Sequence, residues 1–235
     1  MIDIIFHEVL YRPLLNSLIF IYEFIPGHDL GIAIIILTIL IKVILLPLSR
    51  KSIESQKALS KLQPEIKKIQ AKYKNDKEKQ ARAIMEFYKQ NKINPASGCL
   101  PLLIQLPILI ALYKVFLSGL NSKVVADLYS FMPQIEHINP MFLGRVDLSE
   151  RSIPLAVIAG GLQYVQTKMI TAKQAQGKDK KSDFASIMNQ QMLYMMPIMT
   201  AIIALNFPAG LPLYWIVVTL FTISQQYFIM KKNNK

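Results

Sequence analysis

Apolar residues in this chain gather into long runs separated by short, strongly charged segments. Runs near the roughly 20 residues that a helix needs to cross a bilayer lie at 29–48, 99–118, 152–170 and 211–230, with a shorter one at 191–207. The pattern predicts five membrane-spanning helices. Between the last two lies NFPAGLP, where Pro208, Gly210 and Pro212 break helix and suit a tight turn. Residues 2–25 mix Ile5, Val9, Leu14, Leu15, Leu18, Ile19 and Tyr22 with His7, Glu8, Arg12 and Asn16. That mixture predicts an amphipathic helix lying in the outer leaflet. Residues 50–93 read as two charged helices turning at KNDKE. One carries Leu59, Leu62, Ile66, Ile69 and Tyr73 and the other Ile84, Met85, Phe87 and Tyr88, at spacings that let them zip into an antiparallel hairpin.

The expected architecture is therefore an all-α membrane protein: a five-span helical bundle with a cytosolic helical hairpin and an outer-face amphipathic helix. In order, the chain reads as an interfacial helix (1–28), span one (29–49), the basic hairpin (50–98), span two (99–118), an external loop (119–151) and span three (152–170). A basic loop (171–190), span four (191–207), a turn with span five (208–230) and a short basic tail (231–235) follow.

Composition sharpens this picture. The 235 residues are 52% hydrophobic and 18% charged, yet carry a formal net charge of +12. Oily and basic segments must be separated along the chain. The basic segments also set orientation, because cytosolic loops retain Lys and Arg. Residues 50–98 hold thirteen of them against five acids, and Lys168, Lys173, Lys178, Lys180, Lys181, Lys231, Lys232 and Lys235 fall on the same side. The other side has Arg12, Lys123, Arg145 and Arg151, diluted by Asp3, Glu8, Glu23, Asp127, Glu136, Asp147 and Glu150. The N-terminus is expected outside and the C-terminus in the cytosol. The start lacks the basic region and cleavage site of a secretory signal and reads as mature sequence. The single cysteine, Cys99, cannot pair internally, and His7, His28 and His137 lack metal-ligand spacing.

Candidate chemistry centres on a lysine inside span one, in TILIKVILLPL. A central Lys costs about 2.5–3.5 kcal/mol on insertion, which the fourteen Leu, Ile and Val residues of 30–48 outweigh at roughly 0.3–0.6 kcal/mol each. Insertion alone thus leaves two readings open for Lys42: a side chain snorkelling to the cytosolic headgroups, or a functional charge. Its company favours function. Thr38 lies one turn earlier, span two has Gln105, span three has Gln163, Gln166 and Thr167, and span five carries Trp215, Thr219, Thr222 and Gln226 as one helical stripe. Polar groups on several spans face a bundle interior or a wet cavity, although such groups also serve simply to bond helices together. No Asp or Glu inside the runs pairs with Lys42, so it needs water or an acid supplied from elsewhere. The hairpin, through Lys57, Lys61, Lys67 and Lys68, reads either as a topology determinant or as a docking surface for acidic partners.

Four stretches carry a resemblance: PGHDLGIAIIILTILIKVILLPL, LQPEIKKIQAKYK, NPASGCLPLLIQLPILIALYKV and NFPAGLPLYW. In this order and topology the chain resembles the YidC family of membrane protein insertases. The resemblance implies a hydrophilic groove open to the cytosol and to lipid but closed outside, with one cation that draws in acidic parts of a client. That cation falls on Lys42, with Thr38, Gln105 and Trp215 at groove positions; Gln163 and Thr219 join the candidate set from the polar stripes. Most relatives have arginine at this position, so here a point charge replaces a bidentate one. The tail KKNNK is shorter than the basic tail of some relatives, and the resemblance implies the family's minimal form, expected without a large external domain.

The implied activity is insertion and folding of newly made membrane proteins in the plasma (inner) membrane of a bacterium, without covalent catalysis. No cofactor, metal or catalytic residue is expected. Partners are nascent membrane protein clients and membrane lipids, with the ribosome, the signal recognition particle and the Sec translocon as candidates, and no sequence-specific nucleic acid. The competing class is a small secondary transporter or ion pathway using Lys42, but internal repeats and paired intramembrane acids are not seen.

Overall fold

The structure, a computed structural model, describes residues 2–94, 100–119, 127–133, 138–171 and 184–232. Cys99, Lys123, Glu136, His137, Lys173, Lys178, Lys180, Lys181 and Lys235 lie outside them. Among the described residues the regular structure is all-α apart from one two-stranded ribbon. Helix α1 (Ile2–Phe6), a π turn (His7–Tyr11) and α2 (Arg12–Phe24) run on as one rod. They are followed by α3 (Leu30–Ile44), α4 (Leu46–Lys72), α5 (Lys77–Gln90) and α6 (Leu100–Gly119), then the strands β1 (Met141–Phe142) and β2 (Val146–Asp147). Helices α7 (Ile153–Thr171), α8 (Phe184–Asn206) and α9 (Gly210–Lys232) complete the chain.

Helical periodicity decides which faces meet. Leu15, Leu18, Ile19 and Tyr22 fall on one face of α2, and Leu30, Ala33, Ile34 and Leu37 on one face of α3. They pack with Ile108, Leu112 and Val115 of α6 and Leu211, Leu213 and Tyr214 of α9 into one apolar core. Helix α7 packs mainly on α8 and α9, and α3 on α9. Gly160 of α7 permits this closeness, since an added Cβ would stand 2.9 Å from Ala201 Cβ.

Two features depart from a plain reading of hydropathy. Span one is expected through residue 49, but α3 ends at Ile44 and the chain bends by 68° into α4. Pro47, in the first turn of α4, supplies the cause: it has no N–H, and its ring would collide with the carbonyl one turn back if α3 continued. Residues 2–25, read as interfacial, form a helix whose stretch Asp3–Phe24 is long and apolar enough to cross a membrane. Among the described residues it is the one unbroken helix that meets that test, α3 and α4 meeting it only as a bent pair.

Beyond the bend, α4 and α5 are joined by a short turn. Asp76 caps α5 by accepting from Lys79 N at 3.0 Å, and this bond, with the Lys79 side chain, holds its carboxyl below the usual range. Gln80 Nε2 donates to Gln70 O at 2.8 Å across the pair. Ile66 is buried, whereas Met85, expected in the same zip, is 51% exposed.

At the other end of the bundle the β1–β2 ribbon closes over α3. Asp29 Oδ1 accepts from Ile32 N at 2.9 Å, and its Oδ2 accepts from Leu143 N at 2.6 Å, so one carboxylate caps the helix and holds the ribbon. Ala209 N, in the turn between α8 and α9, and Gly210 N, at the start of α9, donate to Glu150 O and Leu148 O. Phe142 lies on Gly31, where a Cβ would stand 2.1 Å from the ring. Gly31→Ala is therefore expected to destabilise the protein by about 1–3 kcal/mol through overpacking, read as a lower unfolding midpoint in detergent. Adding Phe142→Ala should recover part of the loss, and an unchanged midpoint for Gly31→Ala alone would contradict the contact.

Candidate functional site

The bend is what makes a site. An unbroken α3 would carry Lys42 within one continuous apolar rod; ending at Ile44, it leaves Lys42 just inside an elbow faced by α6 and α9. Lys42 Nζ donates to Thr222 Oγ1 of α9 at 3.0 Å and stands 5.9 Å from the centre of the Phe221 ring. The hydroxyl and the aromatic face that meet Lys42 are both neutral. A second bond ties the far side of the elbow to α9: Gln225 Nε2 donates to Ser49 Oγ at 3.0 Å. Thr222 and Gln225 are one turn apart, so α9 braces the bend on both sides.

A small cavity of about 30 Å³ lies in the elbow, lined by Lys42, Leu45, Leu48, Ser49, Ser52, Ile104 and Gln105. That is room for about one water. Gln105 Nε2 donates to the hydroxyl of Tyr214, itself buried in the core. The arrangement offers an ammonium, an amide and two hydroxyls to a polar group entering from the elbow, and no nucleophile–base pair. Among the described residues no cluster of three His, Cys, Asp or Glu could hold a metal.

Of the residues singled out from sequence, Lys42 and Gln105 come together in this cavity. Thr38 does not: it is 1% exposed and its hydroxyl donates to Ile34 O at 2.6 Å within α3. Thr219 is buried likewise and donates to Trp215 O at 2.8 Å. Trp215, half-buried, lies about two turns from Thr222 along α9, and Gln163 sits half-buried on α7, its carbonyl accepting from Thr167. The residues that sequence reasoning left out of the set are Thr222, Ser49, Ser52 and Gln225. Thr222 had a signal, its place in the α9 stripe; Ser49 was the last residue assigned to span one and Ser52 fell past its end.

A second lysine inside an apolar run, Lys114 of α6, was passed over in sequence. It stands 5.0 Å from the Phe6 ring at a larger cavity of about 520 Å³ with Asp3, His7, Glu8, Tyr11 and Asp127. Ionic groups there largely satisfy one another: His7 meets Glu8 at 3.0 Å and Asp127 at 3.3 Å, and Arg12 meets Glu8 at 3.1 Å. On the hairpin, Lys61 and Lys68 are exposed and Lys57 and Lys67 half-buried. Lys68 pairs with Glu65 at 2.8 Å, Arg50 with Glu54 at 3.0 Å and Lys79 with Asp76 at 3.1 Å. These neighbouring pairs neutralise acids and leave the hairpin a basic excess.

Residues 20–235 match the family model described as 60Kd inner membrane protein. A protein of Fusobacterium nucleatum named membrane protein insertase YidC is 41% identical over 204 residues, which covers 87% of each chain. The chain belongs to the YidC family. Proteins of that name from Geobacter metallireducens and Geobacter sulfurreducens are 36% and 37% identical over 232 and 223 residues. These matches cover 98% and 94% of this chain but 38% and 37% of the relatives, so it spans under two fifths of their length. Every residue of the elbow site lies inside the portion that matches the YidC family model.

Proposed function

We propose that this YidC-family chain is a membrane protein insertase and folding aid whose working charge is Lys42. The observation that carries the reading is an ammonium held by the neutral Thr222 at the mouth of a polar elbow, with no carboxylate among the lining residues. Such a charge favours a client's acidic or polar stretch part-way across the membrane. Partition of the client's apolar helix into lipid then drives release. No bond is made or broken, and no cofactor takes part.

In this reading α3, α6, α7, α8 and α9 are the five spans of a bundle in the bacterial inner membrane. The ribbon end is outside, and the elbow, the hairpin and the C-terminus face the cytosol. Placement of α1 and α2 at the outer interface is supported by Arg12 and Asn16, which bond to Asp127 O of the segment after α6 rather than to another helix face. The ribbon over Gly31 supports closure on the outside. The basic excess of α4 and α5, with Lys61, Lys67 and Lys68 at its surface, supports docking of acidic partners such as ribosomal RNA or a targeting factor. The clients proposed are nascent membrane proteins.

Reconstitution tests this. The purified protein in liposomes is expected to insert a short membrane protein supplied during synthesis, at a yield several times that of empty liposomes. Equal yields would overturn the reading, and flux of a small ion without any client would favour a transporter instead.

A further inference from the structure

Threonines in these helices commonly return their hydroxyl to the carbonyl one turn back, and Thr38 and Thr219 do only this in the bonds just described. Thr222 does something more. Its Oγ1 donates to Val218 O at 2.8 Å, so the hydroxyl proton is committed and a lone pair is what it turns toward Lys42, whose Nζ donates to it at 3.0 Å. Phe221, the preceding residue, adds its ring face at 5.9 Å. A lysine side chain is flexible and can place its charge widely; here α9 gives it one place.

The neutrality of that holder matters. An ammonium has three donors and no acceptor. Thr222 occupies one donor and leaves the charge uncancelled, with two donors remaining for the cavity between Ser49, Ser52 and Gln105. A carboxylate at position 222 would hold the ammonium more tightly and neutralise it, leaving little attraction for an arriving acid.

We infer that Thr222 is a positioning residue: it fixes the Lys42 ammonium at the elbow cavity with its charge intact, and thereby makes the site selective for clients that bring a carboxylate. This rests on the electrostatic role proposed for Lys42.

The test compares insertion of two versions of one client, with Asp or Asn at the same place in its translocated segment, in membranes with equal amounts of each variant. Thr222→Val keeps shape and removes the acceptor; it should lower insertion of the Asp client about fivefold, the scale of one net hydrogen bond, and leave the Asn client unchanged. Thr222→Ser should stay within about twofold of the parent for both, because the acceptor returns. Thr222→Glu should reduce the Asp client as far as Lys42→Ala does. In a Lys42→Ala background Thr222→Val should have no further effect. Equal losses for both clients, or a further loss in that background, would make Thr222 a packing residue and overturn the inference. So would a Thr222→Val variant that inserts the Asp client normally while Lys42→Ala does not. If Lys42→Ala itself inserts the Asp client normally, the role of Lys42 falls, and this inference with it.

Discussion

Lys42→Ala is expected to lower insertion of a client with an aspartate in its translocated segment by about tenfold, and of the matching asparagine client by less than about twofold. Unit charges 4 Å apart attract by about 4 kcal/mol at an effective dielectric near 20. Part of that is lost again, because the client carboxylate gives up water on entering the elbow. A net 1–2 kcal/mol is the scale that remains, and about 1.4 kcal/mol is a factor of ten. Lys42→Arg keeps the charge and should stay within about threefold of the parent. The effect of the alanine variant should change little with salt, because the site is partly buried and screening acts mainly on exposed charges. Insertion is read by protection of the translocated segment from an external protease. Equal losses for the two clients would point to a structural role for Lys42.

Asn16→Leu is expected to be the most damaging substitution away from the elbow. Asn16 is 4% exposed and its amide serves three backbone groups: Nδ2 donates to Arg12 O at 2.8 Å and Asp127 O at 3.1 Å, and Oδ1 accepts from Tyr129 N at 2.8 Å. With Arg12, it links α2 to the segment that follows α6. Leucine keeps the branched shape but leaves Tyr129 N–H without this partner and Asp127 C=O with Arg12 Nε alone. An orphaned N–H costs about 1–3 kcal/mol, so a loss of that size follows, seen as a lower unfolding midpoint in detergent and faster proteolysis at 127–133. Asn16→Asp keeps the acceptor for Tyr129 and should fall between. A leucine variant as stable as the parent would mean that water replaces the amide.

The all-helical class and the place of Lys42 were legible because both rest on composition in a window: long apolar runs, and a cation inside the first of them. Gln105 was legible for the same reason. The elbow was not, since hydropathy counts what residues are and is blind to a bend; Pro47 was its one sign, and prolines within apolar runs are often merely tolerated. Thr38 and Thr219 show a different limit. A helical stripe says which residues share a face, but not how deep each sits along it. Near the middle of α3 that face is covered by α9, and at Lys42 it opens, so two residues one turn apart differ in kind. The bonds from Lys42 to Thr222 and from Ser49 to Gln225 join residues 180 and 176 positions apart, a pairing that one sequence does not contain. The two-residue strands of the ribbon are too short to show alternation, and the cap that Asp29 extends to Leu143 is likewise a meeting of distant segments.

The most direct test of the central claim, that the elbow at Lys42 receives the client, is photo-crosslinking in cells from a reactive residue at position 105 to a nascent membrane protein arrested part-way through insertion. A crosslink to the client's aspartate-containing segment is predicted from position 105, strongly reduced in the Lys42→Ala background, with position 110 on the exposed side of α6 giving mainly lipid adducts. Client crosslinks as strong from 110 as from 105, or a crosslink at 105 indifferent to the loss of Lys42, would contradict it.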